Sequence, residues 1–174
     1  MLTAKRLTAQ QAAKLFAAFY QAHGRDVMAK AYGWSAPDAR ALRPGEKVWA
    51  FYDHPAVGPM IGVVGFGVCM LSSTDPDDTE ATLILGVFPE FQRRGYRTAI
   101  FDWLSAWAKS KGADYARMIV FKDNDRHYAR TIGESVTGPW TYAGDVWYPE
   151  PGYGIFVRDL DPEGAAEASA LRAA

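Results

Sequence analysis

Apolar residues recur at Ala12, Leu15, Phe16, Phe19 and Tyr20, the i, i+3, i+4, i+7, i+8 series of one helix face. Thr8 stands at the start of that series with Gln11 at the capping-box spacing, and Gly24 is placed to stop the helix. Residues 1 to 7 fit a short strand before it, and Val27 to Tyr32 fit a second short helix ahead of Gly33. Between Pro44 and Phe88 the pattern turns to β, with strands predicted over Lys47 to Tyr52, Met60 to Leu71 and Thr82 to Phe88. Turn chemistry at Asp53-His54-Pro55 and over 72–78 separates them, which predicts an antiparallel meander. After Pro89 a stripe of Tyr96, Ile100, Trp103, Leu104 and Trp107 predicts a long helix, with Lys109 and Lys111 near its end and Gly112 as its stop. Tyr115 to Phe121 reads as a strand buried on both faces, Asn124 to Ile132 as a short helix, and Ser135 to Leu160 as two closing strands around the turn at 149–152. Residues 161–174 are Ala-rich without an aromatic anchor and are expected to fray.

Composition narrows the class. The 174 residues suit one domain, expected over 1–160, with roughly 70% of the unfolded surface buried. Aromatics at 14%, six Trp among them, are more than a core of this size was expected to need. A net charge of −1 argues against a surface built wholly for nucleic acid or membrane, so partners must be argued from sites. The single Cys69 excludes an internal disulfide, sits in an apolar run and reads as a buried, inert thiol. His23 and His54 form no metal-ligand spacing with Cys or His, and no metal site is expected. No run approaches the roughly 20 apolar residues of a membrane span, and the N-terminus lacks a signal-peptide pattern; a cytoplasmic monomer or homodimer is the expectation.

The chemistry concentrates where the strand Leu85-Gly86-Val87 turns at Pro89 and opens the long helix through Gln92-Arg93-Arg94-Gly95-Tyr96-Arg97-Thr98. Cations at a helix N-terminus oppose the dipole by about 0.3–1 kcal/mol each, so Arg93, Arg94 and Arg97 together ask for an anion. Free first-turn N–H groups and a glycine at Gly95 suit a phosphate. A solvated basic turn is the plainer alternative.

The order strand, Val-x-Pro, Gln-x-x-Gly, amphipathic helix, buried strand, Asn-initiated helix resembles the GCN5-related N-acetyltransferase superfamily over residues 1 to 160. The resemblance implies an α+β fold in three α/β/α layers, a mostly antiparallel twisted sheet of six or seven strands with helices on both faces. It implies acetyl-CoA or another acyl-CoA as cosubstrate, with its pyrophosphate wrapped by Gln92, Arg93, Arg94, Gly95, Tyr96, Arg97 and Thr98. The pantetheine arm would pair with Leu85, Gly86 and Val87, where a bulge splays two strands, and Asn124 would complete the cofactor site. Arg97 replaces the small residue that usually closes the motif; it either reaches a phosphate or marks a degenerate site. Gly86 could equally be a glycine merely tolerated in a strand.

Acyl transfer to an amine needs a base and a proton for the departing thiolate. The resemblance offers Glu80 as base and Tyr128 as acid; a solvated strand-end glutamate and a packing tyrosine are the alternatives. Trp34, Trp140 and Tyr142 are the candidates for a stacking pocket around the acceptor, with core packing as their other reading. The expected function is transfer of a short acyl group to a small-molecule or peptide amine. Acylation of a nucleic-acid base or its amine adduct, and a non-catalytic binding module on a degenerate scaffold, are the alternatives.

Overall fold

The computed structural model describes residues 2–37, 40–53, 62–75, 78–121, 140–146 and 152–160. Thr8 caps α1 (Ala9–His23): its hydroxyl accepts from Gln11 N–H at 3.3 Å, and Gln11 Oε1 accepts from Thr8 N–H at 3.0 Å. The face buried by α1 is the predicted one, Ala12, Leu15, Phe16, Phe19 and Tyr20. Gly24 breaks the helix at φ 80°, and α2 (Arg25–Tyr32) follows at once.

The strands are β1 (Thr3–Arg6), β2 (Lys47–Tyr52), β3 (Val63–Asp75), β4 (Asp78–Val87), β5 (Tyr115–Phe121), β6 (Thr141–Val146) and β7 (Tyr153–Asp159). They form one seven-stranded sheet in the order β1-β2-β3-β4-β5-β7-β6. Every pairing is antiparallel except β4 with β5. A parallel neighbour needs a crossover, which α3 (Tyr96–Lys109) supplies.

Alternation along β2 shows how the layers are held. Val48, Ala50 and Tyr52 pack with α1 and Phe66, whereas Trp49 and Phe51 pack with Ile100 and Leu104 of α3. Both faces are covered, so β2 reads as a continuous apolar run. The result is the expected three-layer α+β arrangement. No helix among the described residues is long and apolar enough to cross a membrane.

Two predicted boundaries move. Polar residues 72–78 were expected to form a turn, yet the β3–β4 ladder continues through Ser72↔Glu80 and Ser73↔Thr79. Ser and Thr satisfy a ladder as well as a turn, and polarity here marks a solvated hairpin end. The closing strands lie at Thr141–Val146 and Tyr153–Asp159, with Trp140 and Leu160 outside them, and β7 lies beside β5. The expected helix over 124–132 and the frayed tail over 161–174 lie outside the described residues.

Candidate functional site

β4 and β5 pair from Glu80↔Tyr115 to Leu83↔Met118 and no further among the described residues. Beyond that point β5 stays with β7 as far as Phe121↔Tyr153, and β4 stays with β3 as far as Gly65↔Val87. The two halves of the sheet therefore part. Thr79 O accepts from Asp114 N–H on the β5 side, while Phe88 N–H donates to Val64 O on the β3 side. By the two-residue alternation, the peptide groups of Leu85 and Val87 turn toward β5, into the gap.

The expected bulge at Gly86 is corrected. The β3–β4 ladder passes through Phe66↔Gly86 without a register shift. Gly86 instead makes room for the aromatic layer: a Cβ there would lie 2.5 Å from both Phe19 Cζ and Phe66 Cε1. Gly86→Ala should cost about 1–3 kcal/mol by overpacking a buried layer. Urea unfolding checks this, and an unchanged midpoint would show that the rings yield freely.

Beyond Val87 a 3₁₀ turn (Pro89–Phe91) leads into the arginine-rich segment. Arg93 has φ 63° and Gly95 φ 81°, with Arg94 at negative φ between them. Positive φ on both sides of Arg94 turns the backbone sharply here, and turns of this kind can gather successive N–H groups toward an anion. Gly95 is the N-cap of α3 and brings no capping side chain; the first helical bond is Ala99 N–H to Gly95 O. The N–H groups of Tyr96, Arg97 and Thr98 precede that bond and have no partner inside the helix. Arg93 and Arg94 are exposed, the latter with its guanidinium 5.7 Å from the Phe91 ring centre. Arg93, a non-glycine at positive φ, stores about 1 kcal/mol or more of strain at this turn. Tyr96 is tied to Asp53 by a side-chain hydrogen bond, which raises its phenol above the ordinary range.

Arg97 runs elsewhere. Its guanidinium lies 5.3 Å from the Phe101 ring centre, and Nη2 is 3.8 Å from the sulfur of Met118, the last β5 residue paired with β4. It thus follows α3 toward the gap. Burial raises the Tyr32 phenol, and the charge of Arg97 pulls it part-way back. Tyr32 packs with the α1 face and Phe101 with the α3 face, so the two groups sense each other across the sheet.

His23, which no spacing signal singled out, is part of this site. Its Nε2–H donates to Val87 O at 3.0 Å, and its ring lies 4.4 Å from that of Phe19. Burial lowers its pKa, partly offset by the bond to Val87 and the charge of Glu90. Gln92 Nε2 reaches the same carbonyl at 3.4 Å. Only its place one turn after Phe19, beside a helix-ending glycine, hinted at this role.

Glu80 lies at the paired end of β4. Arg117 Nε is 2.9 Å away, close enough for an ion pair though out of line for a hydrogen bond, and Thr82 Oγ1 donates to Glu80 Oε1 at 2.9 Å. Asn124 and Tyr128 lie outside the described residues. The aromatic pocket is corrected for two of its members. Trp34 is buried and stacked on Phe66 in the α1 layer, whereas Trp140 packs 5.4 Å from Phe101 on the α3 side. They belong to opposite layers and cannot be facing walls. Tyr142 lies in β6 opposite Phe156. Part of the aromatic surplus is core: Trp49 packs on Trp103 and Trp107 at 5.3 and 4.7 Å. An open groove of about 280 Å³, lined by Leu15, Ala18, Phe88 and Phe91 among others, lies beside the turn and outside the gap.

Cys69 is buried, and burial pushes its thiol up to about 12. It stays protonated and should resist alkylation until the protein unfolds, which iodoacetamide labelling with intact-mass detection would check.

No protein-family model and no curated protein matches the chain in sequence. Solved structures match in shape. The GNAT domain of S. lividans PAT superposes with a TM-score of 0.62 at 16% identity, covering 90% of this chain and 89% of that one. The ribosomal-protein-S18-alanine N-acetyltransferase from Escherichia coli gives 0.59 at 18% identity, covering 92% and 94%. Arabidopsis thaliana NAA60 in complex with acetyl-CoA gives 0.62 at 14% identity, covering 92% and 99%. The chain has the GCN5-related N-acetyltransferase fold. Within that acetyltransferase fold, the gap past Leu83 and the Gln92–Thr98 turn are adjacent and continuous along the chain.

Proposed function

We propose that this protein moves an acetyl or other short acyl group from acyl-CoA directly to an amine of a small molecule or peptide. The observation that carries the reading is the end of β4–β5 pairing at Leu83↔Met118, which opens a gap leading straight to an N–H-lined, arginine-flanked turn. A flexible arm with amide groups suits the peptide edges of Leu85 and Val87, and a pyrophosphate suits the turn from Gln92 to Thr98. Acyl-CoA would supply an activated thioester there. The chain's part is to hold the arm in register with β4, to anchor the phosphates, and to manage two protons.

Similarity of fold to a ribosomal-protein-S18-alanine N-acetyltransferase puts peptide amines in the test beside small ones. Acetyl-CoA binding is measured by calorimetry, and thiol release is then followed with Ala-initiated peptides, polyamines, aromatic amines and amino acids. Binding with release above the no-amine background is expected. Absence of acetyl-CoA binding at millimolar concentration would sink the proposal.

A further inference from the structure

The geometry points to His23 as the base that takes the proton from the acceptor amine, an inference that rests on the acyl-transfer reading above. The imidazole closes α1 at the corner where Gly24 turns the chain into α2. Its Nε2–H is held by Val87 O, a carbonyl of the β4 edge that faces the gap. A ring nitrogen fixed as donor leaves the lone pair on the other, so Nδ1 is the proton acceptor. This is the logic of a base oriented by a third group, with a backbone carbonyl as the orienter.

The ring is also held from behind. Phe19 lies against it at 4.4 Å and is itself buried between Phe66, at 4.9 Å, and the Gly86 backbone. His23 is only half-buried, so solvent and an acceptor reach it. Its lowered pKa keeps the imidazole neutral near pH 7. Charged and titratable groups on the surrounding elements include Glu90 in the turn after β4, Tyr32 with Arg25, Asp26 and Lys30 on α2, and Arg97 on α3; of these Glu90 raises the His23 pKa, as the bond to Val87 O does. Glu80, the carboxylate expected for this task, is engaged by Arg117 and Thr82.

The step balances. An ammonium proton passes to His23 Nδ1, and the freed nitrogen lone pair forms the C–N bond at the thioester carbonyl. The C–S bond breaks, its electron pair leaves with the thiolate, and the second nitrogen proton ends on that sulfur. The imidazolium returns its proton to solvent.

Nitrogen-detected NMR of the full chain should show the Nε2–H tautomer of His23 with a midpoint below the ordinary 6.5. The kcat/KM of the wild type, with acetyl-CoA and the best amine of the panel, should rise with pH through that same midpoint. His23→Gln keeps an N–H for Val87 O but cannot accept a proton. Calorimetry should find its acetyl-CoA affinity within about threefold of wild type, while kcat/KM falls about 100-fold or more and the acidic limb vanishes. Retained affinity with turnover within threefold of wild type would overturn the assignment of His23 alone. An acidic limb that does not match the His23 midpoint overturns it too, and that comparison needs only the wild type if the variant does not fold. A wild type that neither binds acetyl-CoA nor releases thiol overturns the acyl-transfer reading, and this inference with it.

Discussion

Replacing Arg93 and Arg94 together by Glu is expected to weaken acetyl-CoA binding at least 100-fold while leaving the protein as stable as before, or slightly more so. The two effects have opposite signs for one reason. Both arginines precede the N-terminus of α3, whose N-cap brings no side-chain bond and where the dipole's positive end already disfavours cations. In the unliganded protein a Glu at either position relieves that repulsion, by about 0.3–1 kcal/mol. With a pyrophosphate in the turn the balance inverts, because two charge-assisted hydrogen bonds of about 1.5–3 kcal/mol each are lost and like charges face each other. Arg93 already sits at φ 63°, so exchanging one non-glycine for another there adds no new class of strain. Calorimetry and thermal unfolding of the same preparation separate the signs. Affinity within threefold of wild type would mean that the turn is a solvated basic surface.

How far the sequence shows all this depends on the range of the interactions involved. The helices α1 and α3 are legible because their apolar stripes and stop signals are local, and the capping pair Thr8–Gln11 is intact in the fold. The turn from Gln92 to Gly95 is legible because a glycine and clustered arginines are costly at a helix start without an anion. The parting of β4 from β5 is not, since it depends on where two strands 35 residues apart stop pairing, as Glu80↔Tyr115 does the starting. Neither is the direction of Arg97, which a helix period places at the N-terminus but which tertiary contacts with Phe101 and Met118 turn inward. Trp34 and Trp140 look alike in sequence; only the sheet, lying between their layers, tells them apart. His23 is the sharpest case, because a lone imidazole gains meaning only from the carbonyl it meets 64 residues later.

Gly65→Ala should be the most damaging single methyl in the described chain, with a loss of about 3–4 kcal/mol and a fall in Tm on the order of 10 °C. Gly65 faces Val87 across the ladder, and a Cβ added there would collide with the Gly86 carbonyl and lie 3.2 Å from Ile100 Cδ1. Backbone cannot swing aside as a side chain does, so either the β3–β4 rung opens or α3 lifts away. Gly67→Ala is the control: its Cβ would meet Leu104 Cδ1 at 2.8 Å, the far end of a flexible side chain, and should cost less. Gly95→Ala divides the matter differently, because nothing lies within 4 Å of its added Cβ and the cost is the left-handed φ of 81°, about 1–2 kcal/mol. The expected order of stability is therefore Gly95→Ala above Gly65→Ala, with the order of acetyl-CoA affinity per folded molecule reversed, since Gly95 lies in the anion turn and Gly65 behind it. If Gly65→Ala melts within 3 °C of wild type, the tight glycine contact between β3 and β4 is not what holds the β4 edge facing the gap.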